Sequence, residues 1–132
     1  MNKNELRKAI KDFAKSKLIS KVEINRKIEG KIISFNMKGI KEAINQPHKF
    51  YDKKNKAIFN VLKLIQEGKY IGFYDDIKIP KRCIGFHYLE TIICEEISFI
   101  ILKENFDGKV VFYSIVDGIK NKRLSENNRL IL

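Results

Sequence analysis

Apolar residues recur along the first third of the chain with a helical period. In "NELRKAIKDFAKSKL" they put Leu6, Ala9, Ile10, Phe13 and Lys17/Leu18 on one face, which predicts a helix of about four turns with Asn4 as its cap. "KVEINRKIEGKIISF" alternates instead. Val22, Ile24, Ile28, Ile33 and Phe35 are its inward positions, and one or two short strands turn near Gly30. Asn36 caps a short helix at about Lys38–Asn45, weakened by Gly39 and stopped before Pro47. The next helix, about Asn55–Glu67, buries Ile58, Val61, Leu62 and Ile65, and Gly68 ends it in a left-handed conformation.

From Lys69 the period changes to two. "KYIGFY" is a short strand, "DDIKIPKR" a loop, and "CIGFHYLETII" and "ISFIILKE" are long apolar strands. Asp107-Gly108 is a strong hairpin turn into "VVFYSIVD". The tail "GIKNKRLSENNRLIL" reads as a final edge strand or a docked segment. Helices first and an antiparallel meander afterwards predict an α+β fold. Its N-terminal helices pack on one face of a four-stranded, or slightly larger, antiparallel sheet.

The chain has 132 residues, 44% of them hydrophobic, which suits one domain over 1–132 with a real core. No stretch approaches the ~20 apolar residues of a membrane span, and "MNKNELRKAIKDF" has no signal-peptide core. The expected compartment is a bacterial-type cytoplasm, where a delivered toxin domain would also begin. Cys83 and Cys94 make neither a disulfide framework nor a zinc site; both fall in predicted strands and read as buried thiols.

Net charge changes the picture. It is +11, and all of the excess lies in residues 1–81, with 20 Lys/Arg against 9 Asp/Glu; residues 82–132 hold 7 of each. Such a surface attracts polyphosphate, an anionic membrane surface or an acidic protein. No Walker loop, Rossmann glycine pattern, metal-type spacing or Gly-x-Ser-x-Gly elbow is present. Few acids and two histidines disfavour a metal site, so no metal or cofactor is expected.

Metal-free acid–base chemistry remains. His48 sits in the polar interhelical joint "NQPHKFYDKK", and His87 in the apolar strand "FHYLETII", on a face with Leu89, Thr91 and Ile93. Tyr113 and Ser114 are the polar groups of an otherwise apolar strand, on opposite faces. Lys53, Lys54 and Lys56 near a helix start oppose its dipole, and bound phosphate would relieve that. Histidine for proton transfer, lysine for phosphate and tyrosine for base stacking together suit RNA cleavage. Against this stand the ordinary roles: a hydrogen-bonded strand histidine, a Pro-His loop and a solvated helix start.

The segments "GIKEAINQPHKFYDKKNKAI", "KYIGF", "FHYLETII" and "FYSIVD" resemble the phage- and mobile-element-associated branch of the barnase–EndoU–colicin–RelE-like ribonuclease superfamily. The resemblance covers about residues 33–118, and "NQPHKFY" is its most specific piece. Residues 1–30 fall outside it and read as an added docking helix and strand. It implies RNA held on the exposed sheet face and metal-independent cleavage by 2′-hydroxyl transesterification. The positions it marks are Asn45, His48, Tyr51, His87, Glu90, Tyr113 and Ser114, while Phe50 stands where many relatives have a second histidine.

The expected function is a ribonuclease-like toxin or effector domain acting on RNA, with tRNA a candidate. His48, His87, Tyr51 and Tyr113 would be catalytic. Lys49, Lys53, Lys54, Asn45, Ser114 and Glu90 would bind phosphate or RNA. The alternative is a non-catalytic module of the same fold that binds RNA or an acidic immunity or antitoxin protein.

Overall fold

Asn2 opens the first helix by accepting the Glu5 N–H (2.8 Å) while the Glu5 carboxylate faces the Asn2 N–H, a reciprocal cap two residues before the expected Asn4. The computed structural model describes residues 2–25 and 28–117. Helix α1 (Lys3–Phe13) runs on through a π-helical segment, Ala14–Leu18. Leu6, Ile10, Ala14 and Leu18, spaced by four, form its buried stripe. Strands β1 (Val22–Asn25) and β2 (Lys31–Ser34) follow, turning through Glu29 and Gly30, both at positive φ.

Helix α2 (Met37–Asn45) is capped by Asn36 Oδ1 on the Gly39 N–H at 2.8 Å. Helix α3 (Tyr51–Lys56), a 3₁₀ segment (Ala57–Asn60) and α4 (Val61–Glu67) continue one another. The second long helical run therefore begins four residues before the expected Asn55. Gly68 is extended (φ −64°, ψ 146°) and not left-handed. What the position needs is room, because a Cβ there would crowd the Leu64 carbonyl and the Leu89 side chain.

Strands β3 (Lys69–Asp75), β4 (Gly85–Ile93), β5 (Glu96–Glu104) and β6 (Val110–Asp117) form the expected meander. The sheet is larger than four strands. Its order is β1-β2-β6-β5-β4-β3, and β2 joins β6 in parallel through Ile33↔Val110 and Ser34↔Val111. All other pairs are antiparallel, and the fold is α+β. A bulge between Phe112 and Ser114 interrupts strict alternation, so Tyr113 and Ser114 are not simply on opposite faces.

The helices cover one face. Ile10, Ile40, Ile44, Ile58 and Ile65 meet Leu89, Ile100, Leu102, Phe112 and Ile115 in the main core. A second cluster, including Tyr74, Phe86, Tyr88, Phe99 and Ile101, occupies the other face. The loop after β3 closes on it through Asp76, whose buried carboxylate takes three hydrogen bonds from Arg82 and one from the Lys78 N–H. Those bonds, the Arg82 guanidinium first, hold the Asp76 carboxyl well below the usual range. Cys83 is buried there, but in the loop before β4. Cys94 is exposed, in the tight β4–β5 turn, where it and Glu95 take positive φ; neither cysteine is a buried strand residue. No helix among the described residues is long and apolar enough to cross a membrane. The tail expected as an edge strand or docked segment lies outside the described residues.

Candidate active site

The sheet curls. Lys31 of β2 and Tyr70 and Phe73 of β3 are far apart in strand order, yet they line one cavity of about 420 Å³ with His87 of β4 and Glu104 of β5. The inward phase of each strand sets this up. His87 precedes Leu89 and Glu104 follows Leu102, both core residues, so two polar groups sit where the apolar stripes run out.

His87 is bracketed. Its Nε2 lies 2.7 Å from Glu104 Oε1 and its Nδ1 2.9 Å from the Tyr70 hydroxyl. An ionised carboxylate only accepts, so Nε2 carries the hydrogen and Nδ1 accepts from the Tyr70 O–H. Phe73 packs on the ring with centroids 4.8 Å apart. Burial lowers the His87 pKa and outweighs the opposing hydrogen bond and charge of Glu104, so the imidazole is neutral near pH 7. Burial first, then the charges of Glu29 and Glu104, raises the Tyr70 pKa and keeps the phenol protonated. Lys31 Nζ lies 3.7 Å from Glu104 Oε2. The result is a proton chain, Tyr70 to His87 to Glu104, ending in an open cavity with the Lys31 ammonium at its wall.

His48 is elsewhere. Its Nδ1 accepts the Phe50 N–H (2.8 Å), so Nε2–H donates to Ser98 Oγ (2.9 Å), and that hydroxyl donates to the Glu96 carbonyl (3.1 Å). Ser98 stands four residues before Leu102, the partner of His87, a strand distance of ~13 Å. The two histidines are therefore not brought to one phosphate.

The rest of the joint is tied down in the same way. An α-helical carbonyl normally accepts from the N–H four residues on. For Ala43 that residue is Pro47, which has none. Lys54 Nζ takes the place of the missing donor, bonding the Ala43 carbonyl and, at 3.4 Å, that of Ile44. Lys54 is completely buried, so it cannot hold a phosphate at the surface as expected from sequence. Burial, then Arg7, lowers its pKa to about 8. Tyr51 accepts from Arg7 Nη2 (2.8 Å), with Lys3 and Lys54 against its ring. Lys49 is exposed; its N–H donates to Asp117 (2.8 Å) and its Nζ pairs with Glu96 (3.5 Å). Lys53 and Asn45 are exposed.

Tyr113 packs beside Phe86 and under Lys103. Ser114, opposite Ile101, is buried, and its hydroxyl finds no hydrogen-bond partner among the described residues. Glu90, half-buried, stands between Lys69 and Phe99 in the sheet register. None of these three lines the His87 cavity. Tyr70, Glu104, Lys31 and Phe73 are the site residues that sequence reading did not single out. The signal for Glu104 was a carboxylate in phase with Ile100 and Leu102, the same signal that marks His87.

The family model described as large polyvalent protein-associated domain 3 matches residues 1–111. No curated protein and no solved structure matches the chain.

Proposed function

The chain belongs to the large polyvalent protein-associated domain 3 family, associated with proteins of phages and mobile elements, and on that premise we propose that it is a metal-independent endoribonuclease acting through Tyr70, His87 and Glu104. The observation that carries this reading is a neutral histidine held between a phenol and a carboxylate in an open cavity. In the proposed step the 2′-hydroxyl passes its proton to the Tyr70 oxygen as Tyr70 passes its own to His87 Nδ1. The 2′-oxygen attacks phosphorus, and the bond from phosphorus to the 5′-oxygen breaks. That oxygen leaves with a proton from water, the hydroxide so formed takes the His87 proton back by way of Tyr70, and the product is a 2′,3′-cyclic phosphate. Glu104 stabilises the imidazolium, and Lys31 faces the charge on phosphorus. The net charge of +11 supports a polyanionic substrate. RNA in a bacterial-type cytoplasm is the substrate class, and a toxin or effector role suits the family association.

A second reading has its own observation. Glu29 and Glu104 both line the cavity, where Lys31 is the lone lysine or arginine among the described lining residues, and that balance opposes a phosphate. Under this reading the domain binds RNA, or an acidic antitoxin or immunity protein, without cutting.

Pure protein incubated with total RNA and excess chelator separates the two. Cleavage with 2′,3′-cyclic ends, abolished in Tyr70→Phe, supports the enzyme. Salt-dependent binding without new ends establishes the binding module. Loss of cutting with chelator, or equal cutting of DNA, rules out the transesterification mechanism.

A further inference from the structure

The cations on the helical layer are not evenly spread. Arg7 and Lys11 stand one turn apart on α1; Lys41 and Asn45 stand one turn apart on α2. The two pairs face each other across a second cavity of about 160 Å³, with Ile44 at its wall and no carboxylate among its described lining residues. That space admits more than one water, and a single phosphoryl group enters it from the open side. Such a juxtaposition is costly unless something negative enters it, since like charges held together repel.

Two further observations make it more than a patch of solvated lysines. Arg7 is oriented, because its Nη2 donates to the Tyr51 hydroxyl at 2.8 Å. Its Nε is buried and finds no hydrogen-bond partner among the described residues, a donor position that normally has one. Arg7 also presses on its neighbour: after burial, it is the next cause of the lowered pKa of Lys54. An anion in the cavity would supply an acceptor close to Arg7 and offset that repulsion.

We propose that the Arg7–Lys11–Lys41–Asn45 cavity binds a phosphate group of an RNA strand, as a site separate from the His87 cavity. Arginine supplies the directed donors, the two lysines supply charge, and the Asn45 amide adds a neutral donor. The shared ligand chemistry is a phosphoryl group, either a terminal 5′-phosphate or a bridging phosphodiester. The inference does not depend on cleavage.

The test uses a 2′-O-methyl RNA hexamer, which cannot undergo transesterification, made with a 5′-phosphate and with a 5′-hydroxyl. Both are titrated into the full chain and into Lys11→Gln/Lys41→Gln, across a salt series. The double variant should lower the log–log salt slope by about 0.7, the single-strand value for one lost phosphate contact. Lys63→Gln/Lys69→Gln, with the same net charge, should retain the slope. Arg7→Gln, checked for folding by circular dichroism, should weaken binding as Lys11→Gln/Lys41→Gln does. Tighter binding of the 5′-phosphorylated hexamer, lost in the cavity variant, identifies a strand-end site; equal binding of both hexamers, lost equally, identifies a bridging one. An unchanged slope in the cavity variant, or an equal fall in the control pair, overturns the proposal.

Discussion

His48 and Ser98 share a hydrogen bond of 2.9 Å that joins the α2–α3 joint to the start of β5. With Phe50 on the other ring nitrogen, both nitrogens of the neutral imidazole are used. His48→Ala should therefore act on stability. Losing two buried hydrogen-bond partners should lower the unfolding free energy by about 2–3 kcal/mol, read by chemical denaturation. RNA processing per folded molecule should remain at wild-type level. Loss of activity in a fully folded His48→Ala protein would return His48 to the catalytic set.

Acid should expose both histidines at once. Burial lowers the folded-state pKa of His48 and of His87 below the ordinary value of 6.5. Between the folded and unfolded values the unfolded chain binds the proton and the folded chain does not. Their contribution is thus complete above the unfolded value and is lost as pH falls. Stability should decline from about pH 7 towards pH 5, before most carboxylates titrate. Thermal melts of wild type and His48→Gln across that range check this, and the variant should show the shallower slope.

Lys54 predicts the opposite end of the scale. Its pKa of about 8 lies below the ordinary 10.5, so between those values only the unfolded chain holds the proton. Stability should rise with pH from about 8 to 9, before the raised thiol of Cys83 and the raised tyrosines Tyr70, Tyr74 and Tyr113 oppose it. Lys54→Met should flatten that rise. An equal rise in the variant would assign it to another group.

How much of this could be read from the chain depends on how local each cause is. The meander, the Asn36 cap and the Asp107-Gly108 turn have signals within a few residues, and each is found. The β2–β6 pairing has no local signature, because it joins residues more than seventy positions apart. The Cys94-Glu95 turn lacks the glycine or asparagine that usually marks positive φ. In the joint, Pro47 announces an orphaned carbonyl at Ala43, but that Lys54 reaches it depends on how α3 folds back. Lysines that look solvated in sequence can thus be structural. The site divides in the same way. His87 stands out as a polar group on an apolar strand, whereas its partners Tyr70 and Glu104 are chosen by strand register and sheet curl.

Gly39 offers a test of the helix–sheet contact. A Cβ built there would collide with the Phe112 carbonyl, so α2 lies against the β6 backbone where only hydrogen fits. In an unconstrained helix Gly→Ala stabilises by ~0.4–1 kcal/mol. Here Gly39→Ala should reverse sign and cost about 1–3 kcal/mol, the usual penalty of overpacking. A stabilised Gly39→Ala protein would mean that α2 can retreat from β6 at no cost.

The proton chain can be tested by separating geometry from charge. Glu104→Gln keeps an acceptor for the His87 Nε2–H through the side-chain carbonyl, but removes the negative charge behind the ring. If Tyr70, His87 and Glu104 act as proposed, cleavage should fall although folding is retained. The pH at which His87 titrates should drop further, because the hydrogen bond and charge of Glu104 are what oppose burial. Proton NMR of the imidazole reads that shift directly. Tyr70→Phe removes the O–H donor at Nδ1, and His87→Ala removes the ring. Each should reduce the rate by about 10²–10⁴-fold, the usual range for a general acid or base. Combining them should add little, since groups that act as one unit are not additive. A merely structural cluster would behave otherwise: the single variants would lose melting temperature in rough proportion to the contacts removed, their losses would accumulate, and the rate per folded molecule would stay level.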